Sequence, residues 1–512
     1  MTDRPIRRVL LLVADQWRGE ALSRLGHGLA RTPNLDALAA EGVTFRRHFT
    51  QASPCGPARA SLLTGLYLMN HRSGRNGTPL DARHGNLAKA VRGLGFEPFL
   101  FGYSDTSADP RGRPAADPAL RTYEGVLPGF TVGLQIDERH RPWRAALQRR
   151  GYGFARHPTA PFETEAQPPF AHSLAPAAWR AEDSLSAFMA DQVIGFLETD
   201  DGAPWLTYAT FLHPHPPLVA PAPYNALIDP AECPPPLRAA GPAAEGRLHP
   251  WLAWLLSEPR QLEYHRGLAL DTAALSEADV RRIRATYYGL IAETDAQVGR
   301  VLDALKARGL WDDTLVIFTV DHGEMLGDRW LFGKDVFFDG AFHIPLIVRD
   351  PRASADPGRG RVVEAFTEAV DVLPTVLDCL DGAIPRACDG ASLAPWLRGE
   401  TPVAWRRFAT WEYDFRDPVA RRPETALGLE PDACCLQVLR GERWKYVHFA
   451  GLPPLLFDLA EDPNETRDLA GDRAYQDRLL DCAQALLSHR MVHAERTLSD
   501  VFLQPAGPVG LD

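Results

Sequence analysis

The sequence predicts an α/β protein: a mostly parallel central sheet with a smaller C-terminal α+β subdomain. Three observations carry that expectation. Continuous apolar runs at 9–14, 205–212 and 314–320 read as strands buried on both faces of a parallel sheet. Amphipathic helical stretches lie between them. Beyond about residue 385 this alternation weakens, and 442–447 with 455–459 suggest a small antiparallel sheet. At 512 residues the chain can bury a large core. We divide it into an N-terminal α/β domain, 1–385, and a C-terminal subdomain, 386–512.

Bulk properties narrow the partners. The formal net charge is −11 and the pI is near 5.8, so a nucleic-acid or anionic-membrane surface, which needs a basic face, is not expected. The apolar run before Asp15 is too short for a signal-peptide core, and no uncharged run is long enough to span a bilayer. Seven scattered cysteines suit a reduced cytoplasm better than a disulfide framework, so the Asn464-Glu465-Thr466 sequon carries no meaning there.

In chain order, the strand at 9–14 ends abruptly in Asp15-Gln16-Trp17-Arg18, the end at which α/β sheets place their ligands. Thr32 and Pro33 open a short helix as N-cap and first turn, and Gly42 closes it. A strand at 43–49 leads into Pro54-Cys55-Gly56-Pro57-Ala58-Arg59. From Ala58 the sequence turns helical, placing Cys55 at a helix N-terminus, where amides and dipole favour an anion. Asn70-His71-Arg72 and Asn76-Gly77-Thr78-Pro79 form a polar loop. A helix at 87–94 precedes a strand at 96–102 that ends in Tyr103-Ser104-Asp105-Thr106.

Residues 108–180, rich in Pro, Arg, Gly and Ala, read as an insertion over one side of the domain, folded as a hairpin. A helix at 182–199 and a strand at 205–212 follow, the latter ending in His213-Pro214-His215. A second insertion covers about 220–280. A long helix spans 286–310, and the strand at 314–320 ends in Asp321-His322-Gly323-Glu324. One more strand covers 342–348 and a helix 365–380. The subdomain closes with a helix at 471–490 and an extended tail suited to reach another subunit.

Four strands thus end in polar side chains: Asp15-Gln16, Tyr103, His213 with His215, and Asp321-His322. Their convergence on one sheet edge makes a single site. Asp15, Gln16, Asp321 and His322 offer two carboxylates, an amide oxygen and an imidazole. That set suits one divalent cation, with manganese favoured over calcium by the imidazole and neutral amide, and magnesium or zinc as further options.

Cys55-Gly56-Pro57-Ala58-Arg59, followed by Leu62-Leu63-Thr64-Gly65, resembles the maturation signature of the sulfatase family, whose cysteine is oxidised to formylglycine by a maturation enzyme. The resemblance extends through Asp321-His322-Gly323-Glu324, Leu456-Phe457-Asp458-Leu459 and Asp462-Pro463-Asn464-Glu465. It implies an alkaline phosphatase-like sandwich. Gln16, His322 and Tyr103 resemble the phosphonate monoester hydrolase and phosphodiesterase branch, where arylsulfatases have aspartate, asparagine and lysine. The resemblance implies Asp15, Gln16, Asp321, His322 and residue 55 as metal ligands. Arg59, Asn76, Tyr103, His215 and Lys334 would line a small anionic ester, with His215 or Lys334 as proton donor. The branch has a threonine where this chain has Asp105, so either Thr106 restores the hydroxyl by a one-residue slip or the carboxylate selects a cationic substituent.

The chemistry fits the residues. A hydrated aldehyde carries two hydroxyls: one attacks the ester, and the other, once deprotonated, expels the product by C–O cleavage, so water never attacks a crowded phosphorus. The expectation is a metal-dependent hydrolase of phosphonate monoesters and phosphodiesters with activity on sulfate esters. An arylsulfatase and a non-catalytic or unmatured relative are the alternatives. A homo-oligomer, a tetramer, is expected from the tail and the resemblance.

Overall fold

The protein is described from a computed structural model that covers residues 4–154, 160–162, 174–258, 261–263 and 269–510. Parts of both expected insertions, 155–159, 163–173, 259–260 and 264–268, lie outside the described residues. The strands are β1 (Arg8–Asp15), β2 (Val43–Phe49), β3 (Glu97–Gly102), β4 (Thr131–Gln135), β5 (Trp205–Pro214), a ribbon of β6 (Gln261–Glu263) and β7 (Ala269–Asp271), β8 (Thr314–Val320), β9 (His343–Ile344), β10 (Leu346–Arg349) and β11 (Val362–Glu368). The C-terminal strands are β12 (Phe408–Asp414), β13 (Cys435–Gly441), β14 (Trp444–Phe449), β15 (Leu455–Asp458), β16 (Phe502–Gln504) and β17 (Gly507–Val509).

The main sheet runs β11-β2-β10-β8-β1-β5-β3-β4, with β9 paired to β2. β1 lies at its centre, parallel to both β5 and β8. Every residue of β1 and β8 is buried, which explains why their sequences are continuously apolar rather than alternating. β10 runs antiparallel to β8 and β2, so the sheet is mixed but mostly parallel, as expected.

Four local expectations are corrected. Among its described residues the first insertion forms no hairpin: it adds β4 parallel to β3 and extends the sheet edge, because β3 offers an unpaired edge to it. Residues 342–348 form two strands, broken at Pro345, which cannot donate to the ladder. The expected helix at 365–380 is β11 followed by the helix Val372–Cys379, since the first residues pair with β2. Thr32 makes no side-chain cap. The capping acceptor comes from the long helix Glu277–Ala307: Asp295 accepts from the Asn34 and Leu35 amides at 3.1 and 2.9 Å.

That long helix starts nine residues before its expected beginning, behind a capping box of Ser276 and Asp279. Its charged first turns hide the start in a hydrophobic pattern. The subdomain sheet, β12-β13-β14-β15, is antiparallel and includes the expected strands. It docks through Trp411, which stacks on Phe49 at 5.4 Å and Phe342 at 5.0 Å between ring centres. The helix Gln476–Val492 follows, close to the expected span.

Candidate active site

The sheet order places the four expected strand ends side by side: β8, β1, β5 and β3 are consecutive neighbours. Asp321, Asp15, His215 and Tyr103 therefore emerge at one carboxyl edge. Facing them is the helix Cys55–Thr64, all of whose residues are buried. Cys55 opens that helix. Asn76 accepts from the Gly56 amide at 2.9 Å, and a Cβ on Gly56 would meet the same oxygen at 2.9 Å. Only glycine lets the loop close this tightly over the helix start.

At the centre, one oxygen from Asp15, one from Asp321, Cys55 Sγ and a His322 ring nitrogen all lie within 4.8 Å of one another, and all four residues are buried. Cys55 Sγ is 3.1 Å from His322 Nε2. Burial keeps His322 well below its ordinary range, with Lys334 adding to the effect, so the ring is neutral and can offer a lone pair. Burial pushes the Cys55 thiol well above its ordinary range, and Asp15 adds to it. As a thiol, residue 55 is a poor nucleophile here.

Arg59, one turn along the same helix, is fully buried. It donates to Asp15 Oδ2 at 3.0 Å and Tyr208 Oη at 2.9 Å, and pairs with Asp321 at 2.9 Å and Asp105 at 3.3 Å. Its guanidinium also sits 4.4 Å from the centre of the Tyr103 ring. One cation thus offsets three carboxylates.

Gln16 adopts a left-handed backbone, φ 62°, which is costly for a residue with a side chain. Its amide donates to Asp321 Oδ1 at 3.2 Å, and its carbonyl accepts from Tyr287 Oη at 2.8 Å. The strained turn aims the side-chain oxygen at Lys334 Nζ, 2.7 Å away. Lys334 Nζ is also 3.4 Å from His215 Nε2. Burial opposes charge on Lys334, but the Asp15 and Asp321 carboxylates help outweigh it and hold the ammonium above its ordinary range. Burial lowers His215, so of this pair Lys334 carries the proton at neutral pH.

Sequence comparison bears on the same residues. The sulfatase family profile matches residues 7–383, three-quarters of the chain and the whole of this site. The chain belongs to the sulfatase family. The profile of the N-sulphoglucosamine sulphohydrolase C-terminal family also matches, over 327–492. This sulfatase-family chain is 42% identical, over 98% of both chains, to a multifunctional alkaline phosphatase superfamily protein of Trinickia caryophylli. Its fold superposes on a phosphonate monoester hydrolase of Agrobacterium radiobacter with a TM-score of 0.95 and 47% identity, covering 99% of each chain. A phosphonate monoester hydrolase of Silicibacter pomeroyi matches with a TM-score of 0.91 and 41% identity over 98% of each.

The family implies a divalent metal and a formylglycine, and the donor set of this sulfatase-family chain fits both. Asp15 Oδ1 is buried without a hydrogen-bond partner among the described residues and lies 3.6 Å from His322 Nε2. A buried carboxylate oxygen left bare beside a neutral imidazole and a second carboxylate is the arrangement a hard cation satisfies.

The structure separates the remaining expected residues. Tyr103 Oη donates to Asp15 Oδ2 at 2.8 Å instead of pointing outward. Asp105 contacts Arg59, whereas the Thr106 hydroxyl donates to the Ser104 carbonyl at 3.2 Å. Burial raises Asp105 to about 7 despite Arg59. His213 is buried beside Glu293, 3.6 Å away, and Ser186, away from the cluster's other partners. Sequence reasoning missed Tyr208, Tyr287 and Glu324 as supports. Glu324 was within reach, since it stands in the Asp321-His322-Gly323-Glu324 run; the two tyrosines carry no signal in a strand and a helix.

Proposed function

We propose that this protein is a metal-dependent hydrolase of phosphonate monoesters and phosphodiesters that uses a formylglycine made from Cys55, with activity on sulfate esters as a secondary trait. The observation that carries the reading is the pairing of Cys55 at a helix N-terminus with a bare-oxygen cluster of Asp15, Asp321 and His322. The relatives named as phosphonate monoester hydrolases support the substrate class.

In this reading Asp15, Asp321, His322, Gln16 and residue 55 hold one divalent cation, manganese by its tolerance of mixed oxygen and nitrogen donors. When bound, that ion supplies positive charge at the nucleophile and at the ester oxygen. The chain's own residues do the rest. Arg59 compensates the carboxylates and fixes Asp15 together with Tyr103. Asn76 anchors the amide after residue 55. As the bond from phosphorus to the leaving oxygen breaks, Lys334 gives that oxygen a proton, and His215 Nε2 stands beside it to receive or relay one. Gln16 and Tyr103 add no formal negative charge beside Asp15 and Asp321, which suits a singly charged ester with a substituent on each side.

We further assign a formylglycine-generating enzyme as a transient partner, a cytoplasmic location, and a homo-oligomer. Leu498, Phe502 and Leu503 on the C-terminal arm are between 68% and 76% exposed, and β16 pairs only with β17 among the described residues; both features support an arm that seats on another subunit. No helix among the described residues is long and apolar enough to cross a membrane.

Mass spectrometry of the peptide containing residue 55 tests the nucleophile. Active material should carry the aldehyde in place of the thiol. Full activity in protein holding only unmodified cysteine would end this reading.

A further inference from the structure

We propose that Glu324 is a positioning residue that fixes which end of the Gln16 amide faces the reaction centre. The proposal rests on the reading of Gln16 as a metal ligand. An amide has an oxygen at one end and an NH2 at the other, and only the oxygen can face a cation. Gln16 has no choice of end in this structure. Its Nε2 donates to Glu324 Oε2, so Oε1 is turned to Lys334 at 2.7 Å.

Glu324 can impose this because it is itself fixed as an acceptor. Its other oxygen, Oε1, accepts from the Leu326 amide at 2.9 Å and from the Gly333 amide at 2.6 Å. All three of its partners are donors, so a carboxylate satisfies them and nothing is left to rotate. Glu324 is 2% exposed, which removes water as a competing partner. The same contacts tie the 326–333 loop, and therefore Lys334 at its end, to the β8 side of the site. One side chain thereby registers an expected ligand and the expected proton donor against each other. A strained Gln16 backbone, held by Tyr287, sets where the amide sits; Glu324 sets which way round it is.

The substitution that isolates this role is Glu324→Gln. The glutamine oxygen can keep both loop amides, but its NH2 then confronts the Gln16 NH2. The Gln16 amide must turn over, presenting NH2 to the cation and to the Lys334 ammonium. Manganese titration of chelator-stripped, matured enzyme should show affinity reduced about 10–100-fold, the usual effect of losing a ligand's hydrogen-bond partner. The paired change Q16E/E324Q restores complementarity, because the glutamate at 16 accepts from the new amide and turns its second oxygen inward. It should recover affinity to within about threefold of wild type if that one hydrogen-bonded pair accounts for the loss. The Q16E single variant separates this pair from the added carboxylate's own pull on the cation: the affinity gained from E324Q to Q16E/E324Q should exceed that gained from wild type to Q16E, and equal gains would make Glu324 merely structural. Wild-type affinity in E324Q, or a double variant no better than E324Q, overturns the proposal. Gln16→Ala separates the two readings: unchanged manganese affinity there shows that Gln16 is no ligand, and removes this inference with it, whereas loss in Q16A with none in E324Q removes the Glu324 role alone.

Discussion

The Tyr103 hydroxyl donates to Asp15 Oδ2 at 2.8 Å, on the oxygen that Arg59 also holds at 3.0 Å. Asp15 therefore has one oxygen tied down and the other bare. Burial and the Asp15 charge hold the Tyr103 phenol well above its ordinary range, so it stays a donor at working pH. Tyr103→Phe should lower manganese affinity and kcat/KM roughly tenfold, with the loss in kcat. A variant whose only defect is a raised KM would return Tyr103 to the substrate wall.

Arg59 forms ion pairs with Asp15, Asp105 and Asp321 together, and it is fully buried. Removing it leaves buried carboxylates uncompensated. Arg59→Ala should cost about 3–5 kcal/mol in urea unfolding of the metal-free protein. Arg59→Lys should fall between, because it keeps the charge and loses the fork. A cost under about 1 kcal/mol, the range of an exposed pair, would contradict this assignment.

Lys334 is the protonated member of the Lys334–His215 pair. Lys334→Ala should slow esters with poor, high-pKa leaving alcohols by about 10²–10⁴ and spare activated aryl esters. A plot of log kcat/KM against leaving-group pKa should steepen in the variant. An unchanged slope would move the acid role elsewhere, with His215 the next residue to test.

Asp295 gives a pH prediction away from the chemistry. Burial raises it to about 6, against the pull of the Leu35 and Asn34 donors. Its unfolded value is near 3.9. Between these values the folded chain keeps a proton that the unfolded chain loses, so this group's contribution falls as pH rises from 4 to 6 and then levels. The stability of wild type relative to Asp295→Asn should drop by on the order of 2–3 kcal/mol from pH 4 to pH 7. A difference that stays constant across that range would refute the shift.

Much of this was legible in the sequence for identifiable reasons. β1 and β8 announce themselves because burial on both faces demands unbroken apolar runs, and the polar residues that end them mark the site edge. The Cys55 helix start followed from its motif. What stayed hidden depends on partners distant in the chain. β11 is a strand because β2 lies beside it, and β4 because β3 leaves an edge. Asp295 caps a helix from 260 residues away, which no local pattern reveals. Within the site, the family resemblance marked Asp105 as a departure, but only the fold brings its carboxylate, and not the Thr106 hydroxyl, onto Arg59.

The central assignment is the substrate class. The most direct measurement compares kcat/KM for a phenyl phosphonate monoester, a phosphodiester and an aryl sulfate on one matured, manganese-loaded preparation. The expected result is that the phosphonate and the diester both exceed the sulfate by at least about tenfold, or about 1.4 kcal/mol of transition-state stabilisation. A sulfate preferred over both by that margin would make the protein an arylsulfatase and contradict the account.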